Sequence, residues 1–470
     1  MPVCTGEGVA IAEKLFRRSR VRRTLAVAGL GARIGGGYAT TAARKMFASA
    51  ERKEQLTAER EMRTAEQITE RLGHMKGAMM KLGQMASYLD NGLPDALRLT
   101  LQQLQASAPP MSHELAESVI REEFGRDVSD IFLEWDPTPI AAASIGQVHR
   151  ALILDPNTNT ERAVAVKIQY PGVDQAIEAD LRNADLLGTL LSLGFKGLDP
   201  DEMVAEIRER LIEELDYTRE AKNQRLFADF YRGHPYINVP EVVDHLSTSR
   251  VLTTDLVVGH TWQELLSWSQ EERDKAGETL FRFVFRSLYR FHMFNGDPHP
   301  GNYIFHGNGK VSFLDFGLIK HFTDDEMQTF QDMVEAAAIQ HDDAKFRMIV
   351  ENAGLLQKDA PITTDEAGEY FSHFYSPVRE SKITTWDSDY ATSIVRHTFD
   401  RSSPIAQYAS VPRAFVFIQR INLGLYALLG ELGATGNYRL ISEEIWPMVN
   451  GSPSTSMGAE EAEWLAQKLN

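Results

Sequence analysis

The stretch Gly296-Asp297-Pro298-His299-Pro300-Gly301-Asn302, followed by Phe313-Leu314-Asp315-Phe316-Gly317, contains the residue types that phosphoryl transfer requires. That chemistry needs a carboxylate near the attacking oxygen, and an amide plus a second carboxylate to hold magnesium on the phosphates. Asp297 supplies the first, Asn302 and Asp315 the others. Asp297 precedes Asn302 by five residues, and Asp315 falls on a turn after a predicted strand. An isolated Asp-Phe-Gly is a weak signal in a chain of this length, whereas the ordered set is specific.

Upstream, Val164-Ala-Val-Lys167 ends a predicted strand and offers a cation for the α and β phosphates. A lysine lining a cleft needs an acidic partner, and Glu213, Glu214, Asp216 and Glu220 crowd one predicted helix. Asp216 and Glu220 are four apart and share a face of it. The first two strands are joined by Ala141-Ala142-Ala143-Ser144-Ile145-Gly146, with one glycine where a glycine-rich loop would let backbone amides approach phosphates. Alanine restricts the backbone, so a stiffer loop is expected. On a helix before the sheet, Lys81-Leu82-Gly83-Gln84 projects a cation and an amide together, with Gly83 permitting close approach.

The elements that must position these groups follow from apolar periodicity. Ile68, Leu72, Met75, Met79, Leu82, Ala86 and Leu89 recur at helical steps, predicting a long amphipathic helix to about Asp90. Helical stretches at Pro94 to Gln105 and Ser112 to Phe124 follow, separated by the linker Ala108-Pro109-Pro110. From Ile131 the texture is that of strands, with Gln147 to Leu154 and Ala163 to Lys167 flanking a turn at Asp155-Pro156-Asn157. Helices are expected over Val173 to Ser192 and Asp201 to about Tyr231, then strands at Val239 to Asp244 and Arg250 to Val258. Beyond Thr261 the chain reads as helical, interrupted by a hairpin around Tyr303 to Phe305 and Val311 to Leu314. Five strands with a helix between the third and fourth is the plan of a kinase amino-terminal lobe.

These motifs together resemble the UbiB family of atypical, protein-kinase-like proteins over about Ile68 to Asn437. The resemblance implies an α+β, bilobal kinase-like fold with a small antiparallel five-stranded sheet, a mostly helical second lobe, a helical lid and carboxy-terminal helices. Together with the charge split of the first 60 residues, it divides the chain into a basic segment (1–60), a helical extension (61–126), an amino-terminal lobe (127–260), a carboxy-terminal core (261–345) and a helical remainder (346–470). It implies Asp297 as the catalytic-loop aspartate, an ion pair of Lys167 with Glu220, and magnesium on Asn302 and Asp315. It also implies ATP contacts from Ala141, Ala142, Ala143, Ser144 and Lys167 and, at the end of the last strand, from Asp255 and Val257. Lys81, Gly83 and Gln84 would form a lid facing Glu214 and Asp216. Asn295 departs from the pattern, because many members have His two residues before the catalytic-loop Asp.

The expected function is that of an atypical kinase or ATPase using ATP and magnesium, supporting isoprenoid-quinone biosynthesis or lipid homeostasis, with lipid or quinone-precursor ligands and quinone-biosynthesis proteins as partners. The alternative is a nucleotide-gated scaffold. A protein kinase fits less well, because Thr323-Asp-Asp-Glu326 starts a helix soon after Gly317 and no Ala-Pro-Glu follows. Small-molecule kinases lack the Lys81 motif and the alanine loop.

Composition sets outer limits. The 470 residues are 43% hydrophobic and 24% charged, which is globular, and the single Cys4 excludes an internal disulfide and a cysteine zinc site. A net charge of −17 argues against nucleic acid as a partner. Residues 1–60 nevertheless carry twelve Lys and Arg against five Asp and Glu, with Arg17, Arg18, Arg20, Arg22 and Arg23 clustered. Peripheral membrane contact and a cytoplasmic location are the corresponding expectations. The apolar run Leu25 to Ala32 is too short to span a bilayer, no cleaved signal is read, and Ile421 to Gly430 reads as a buried helix.

Overall fold

The computed structural model describes residues 111–174 and 212–469, apart from 144, 214, 297, 388, 391–392, 395–396, 398–402 and 411. The chain divides into two compact units, 1–110 with 171–212 and 111–170 with 213–470, and the fold described is that of the second. The basic segment, the helix bearing Lys81, Gly83 and Gln84, and most of the helix predicted from Val173 lie outside the described residues.

The first lobe begins with α1 (His113–Phe124), closed by Gly125 at φ 66°, a left-handed conformation that glycine adopts without a Cβ penalty. Strands β1 (Glu134–Ala142), β2 (Gly146–Leu154) and β3 (Glu161–Gln169) form an antiparallel meander. Helix α2 (Tyr217–Tyr231) follows, then the two-residue β4 (Ile237–Asn238) and β5 (Val251–Asp255). The sheet order is β1-β2-β3-β5. Two-residue alternation sorts its side chains. Ala151, Ile153, Val164, Val166 and Ile168 join Ala116, Val119 and Ile120 of α1 in one core. Ala165 and Lys167 therefore fall on the opposite face, where Lys167 is flanked in register by Val148 and Leu252.

The sheet has four strands instead of five. The predicted strand Val239 to Asp244 is reduced to a bridge between Val242 and Thr254, with Val243 N–H donating to Thr253 and Asp255 N–H to Glu241. Pro240 has no N–H for a ladder, and its carbonyl accepts from Gln224 instead. The helix predicted to run unbroken from Asp201 to Tyr231 is also interrupted. Leu215 lies in a turn, and Asp216 is the extended N-cap of α2, accepting from Thr218 N–H at 3.0 Å.

The second lobe is built on α3 (Gln270–Phe291), whose buried Leu280, Phe281, Phe283 and Leu288 anchor the larger core. Four short strands follow: β6 (Met293–Asn295), β7 (Tyr303–Phe305), β8 (Val311–Phe313) and β9 (Ile319–His321). β7 and β8 form a hairpin, and β6 pairs with β9, so the segment before Gly296 and the segment after Gly317 are tied together. Helix α4 (Asp324–Val334) starts with the expected capping box of Thr323 and Glu326 and continues as a π-helix over Glu335–Gln340. The remainder includes α5 (Asp343–Asn352), α6 (Thr364–Ser372), α7 (Arg413–Leu432), α8 (Tyr438–Glu443) and α9 (Ser456–Leu469). Ile421, Leu425 and Leu429 of α7 are buried in the core, as read from their apolar run. Among the described residues, no helix is long and apolar enough to cross a membrane.

Candidate functional site

Lys167 leaves β3 on the face turned away from the α1 core, and its ammonium donates to both carboxylate oxygens of Glu220 at 2.8 Å. Glu220 lies in the first turn of α2, one turn beyond the Asp216 cap, so the cap fixes where the helix begins and with it where the carboxylate points. Asp315 Oδ2 approaches the same ammonium to 3.6 Å. The Tyr217 ring lies 4.9 Å from it, within cation–π range. Burial pulls the Lys167 ammonium down, but Glu220, Asp315 and Tyr217 outweigh it and hold the group well above the ordinary lysine value. The result is a permanent cation between a nearly buried carboxylate and a more exposed one.

The Asp315 turn is held from three sides. Gly317 N–H donates to Asp315 Oδ1 at 2.9 Å, Asn223 of α2 donates to the Phe316 carbonyl at 3.1 Å, and Asn295 donates to the Asp315 carbonyl at 2.8 Å. Asn295, the departure from the family pattern, thus ties the strand before Asp297 to the backbone of Asp315. Asn302 accepts from Leu314 N–H at 3.0 Å, so Asn302 and Asp315 emerge at the same end of the β7–β8 hairpin. His299 Nδ1 accepts from Gly301 N–H at 3.0 Å and shapes the intervening turn. Asp297 lies outside the described residues. Its neighbour Pro298 is packed on α7 so closely that a Cβ on Gly424 would come within 2.3 Å of the proline ring. Only glycine at 424 allows that approach.

The alanine-rich segment differs from its expected form. Ala141 and Ala142 belong to β1, and the connection is a tight turn closed by Ala143 N–H donating to Gly146 O at 2.9 Å. Ala141 pairs with Val148, which places it on the Lys167 face of the sheet. Gly146 is fixed by crowding, since a Cβ there would lie 2.1 Å from the Ile168 carbonyl oxygen. Behind the turn, Gln147 accepts from Met111 N–H at 2.9 Å, and its amide nitrogen is 2.8 Å from His149 Nε2. Burial pushes the His149 ring below its ordinary value. Ser144 lies outside the described residues.

Of the remaining candidates, Asp255 accepts from Arg162 Nε at 2.6 Å and from Glu241 N–H at 3.3 Å, anchoring the end of β5. Its carboxylate is committed to the fold, which leaves the backbone as its way of meeting a ligand. Val257 follows where the chain leaves the sheet. Glu213 pairs with Arg219 at 3.0 Å, and Glu214 lies outside the described residues. Sequence reasoning did not single out Tyr217, Asn223 or Gly424. Tyr217 adjoins the Glu214-x-Asp216 motif, a signal that could have drawn attention to it, whereas the roles of Asn223 and Gly424 depend on contacts distant in sequence.

The ABC1 atypical kinase-like domain model matches residues 103–349. Among curated relatives, the rat mitochondrial atypical kinase COQ8B is 36% identical over 278 residues, covering 58% of this chain and 51% of that protein. The Saccharomyces cerevisiae mitochondrial atypical kinase COQ8 is 32% identical over 61% of this chain and 56% of its own length. The chain thus matches about half the length of these relatives. The Mycobacterium tuberculosis protein Rv3197, solved in complex with erythromycin, superposes with a TM-score of 0.60 at 30% identity, covering 84% of this chain and 98% of that one.

Proposed function

The chain belongs to the ABC1 atypical kinase-like family, and from that premise we propose that it binds magnesium ATP beside Lys167 and hydrolyses or transfers the γ-phosphate. The observation that carries this reading is the convergence of Lys167, Glu220 and Asp315, with Nζ 2.8 Å from Glu220 and 3.6 Å from Asp315. Glu220 holds the ammonium at the cleft face, where it can pair with the α and β phosphates. Asn302 and Asp315 offer an amide and a carboxylate oxygen at one end of a hairpin, a hard donor set that suits magnesium. Bound magnesium would neutralise charge on the phosphates. Asp297 is assigned the role of orienting the attacking hydroxyl or water. Ala141, Ala142, Ala143 and Ser144 are assigned the phosphate side of the nucleotide, and the backbone of Asp255 and Val257 the base.

The short path from Gly317 to the Thr323 capping box leaves little chain for a peptide platform, which supports a small or lipid-like acceptor. We assign the chain to isoprenoid-quinone or lipid metabolism, with quinone-biosynthetic proteins as partners and the basic segment as a peripheral membrane contact. Lys81, Gly83 and Gln84, with Glu214 and Asp216, are assigned to a lid over the cleft. Single-turnover phosphate release from the purified protein tests the reaction, with Asp297→Asn as control. ATP binding without release, unchanged by that substitution, would leave a nucleotide-gated scaffold.

A further inference from the structure

β3 ends on a buried amide two residues beyond Lys167. Side chains alternate along a strand, so Gln169 shares the Lys167 face while Ile168 between them enters the α1 core. Gln169 is 3% exposed, and a side-chain amide so deeply buried has to be hydrogen-bonded. Its nitrogen donates to the Leu215 carbonyl at 2.8 Å and to the Ser249 carbonyl at 3.2 Å, which uses both of its hydrogens. Leu215 immediately precedes Asp216, the N-cap of α2. Ser249 stands two residues before β5, and its carbonyl also accepts from Tyr217 N–H at 3.0 Å. The first N–H groups of a helix have no partner within it, so this bond ties the first helical residue of α2 to the sheet lobe. The Tyr217 hydroxyl meets the alanine turn, 3.1 Å from where a Cβ on Gly146 would lie, and Gly146 pairs in register with Gln169.

From this geometry we infer that Gln169 is a positioning residue of the cleft, whose amide docks the start of α2 onto the end of β3 and thereby keeps Glu220 on Lys167. The inference rests on the reading of Lys167 as the cation that meets the phosphates. Reach supports it. Glu220 follows Leu215 by five positions, all of them cap or helix, so fixing the helix start leaves the carboxylate little slack. An ion pair between two long side chains otherwise loses entropy by holding both in one geometry. A helix start bonded through its backbone relieves the pair of that task. Docking needs no nucleotide, because every bond in it belongs to the protein.

A triple-mutant cycle in urea unfolding of the full-length protein, without nucleotide, tests the assignment. Lys167→Met and Glu220→Gln are made singly and together, first in the native background and then with Gln169→Met, which keeps the length of the side chain and removes its donors. The non-additivity of the pair, expressed as a factor in the folding equilibrium, should be about tenfold in the native background and below about twofold with Gln169→Met. A bond that only adds stability would lower all the variants alike and leave the tenfold factor in place. Ser249 keeps its bond from Tyr217, so Gln169→Met should fold, as circular dichroism can establish. If it does not, Gln169→Asn, which keeps the amide and shortens its reach, takes its place in the cycle. A factor unchanged by the substitution, or no coupling in the native background, overturns the assignment. Failure of both variants to fold overturns it too, since the amide is then a structural bond. Because no nucleotide is present, a protein that binds no ATP breaks the earlier reading and leaves the measured coupling as it stands.

Discussion

Two clusters of buried charge in this molecule are built on different terms. In the second lobe, Arg282 donates to Glu278 at 2.8 Å, to Glu461 at 3.1 Å, to Thr455 at 2.7 Å and also to Glu444. Arg286 adds two bonds to Glu461, at 2.9 and 2.7 Å. Arg282 and Glu461 are 2% and 3% exposed, so the centre of the network is closed to water while Glu278 and Arg286 reach its rim, and it staples α9 to α3. At the cleft, Lys167 and Asp315 keep 18% and 30% of their side-chain surface, and the ammonium retains capacity for a further anion. A fully compensated network has nothing left to offer a ligand. A partly open one costs stability in the free protein and recovers it on binding, which is the pattern expected of a site.

The sharpest way to break the comparison is Arg282→Met. It takes the cation from Glu278 and Glu444 and leaves Glu461 to Arg286 and His234, a loss of about 3–5 kcal/mol in urea unfolding. The ATP-induced stabilisation should survive wherever the variant is folded. A loss below about 1 kcal/mol, the value of an exposed pair, would place the network among ordinary surface bridges.

Lys167→Met should show the opposite balance. Water reaches Asp315, 30% exposed, and only Glu220, 5% exposed, is left with an uncompensated charge, so the free protein loses less than Arg282→Met. The ATP-dependent stabilisation, about 2.7 kcal/mol at one hundred times the dissociation constant, should vanish. Asp315→Asn should remove the magnesium-dependent part of that shift and leave the apo stability nearly unchanged. Thermal unfolding with and without magnesium ATP reads both, and a full shift retained in Asp315→Asn would refute the metal assignment.

The pH response sharpens the contrast further. Burial pushes the Glu461 carboxyl up, but the adjacent His234, Arg286 and Arg282 outweigh it and bring it down to about 2. Its contribution is therefore present above the unfolded glutamate value of about 4.3 and is lost only as pH falls toward 2. His149 behaves differently. Burial lowers its value in the fold, so the unfolded chain takes up the proton first, and stability is lost as pH falls below about 6.5. Unfolding midpoints at pH 7.5 and 5.5 should drop in the native protein and drop less in His149→Phe, while Glu461→Gln should leave that difference unchanged.

The smallest effect is expected at the turn. Ala143→Gly loosens the β1–β2 connection at a cost of about 0.5–1 kcal/mol, and should change nucleotide affinity more than fold stability. Identical affinities in Ala143→Gly and the native protein would mean that the turn does not tune the nucleotide.

How much of this was legible beforehand varied with the kind of interaction. The Thr323 capping box, the hairpin around Asn302 and the buried α7 helix were readable, because caps and apolar periods are local. The missing fifth strand was not, although Pro240 carried a hint, because whether a segment completes a ladder depends on its neighbour across the sheet. The alanines were visible as a run, yet their division between β1 and the turn depended on register with Val148 and Gln147.

The sequence alone determined which groups could take part in phosphoryl transfer and in what order they occur, since residue type and spacing are properties of the chain itself. It also determined that Lys167 lies on the opposite face of β3 from Val166 and Ile168, because strand side chains alternate. Tertiary structure decided which acid the lysine meets. Glu213, Asp216 and Glu220 were all near in sequence, and the Asp216 cap turned one of them into the helix start and aimed another at the ammonium. It likewise decided that Asn295, Asn223 and Gly424 support the Asp315 turn and the Asp297 loop. Those contacts join segments up to 126 positions apart in the numbering, and closing such distances is a property of the packed core and not of any local pattern.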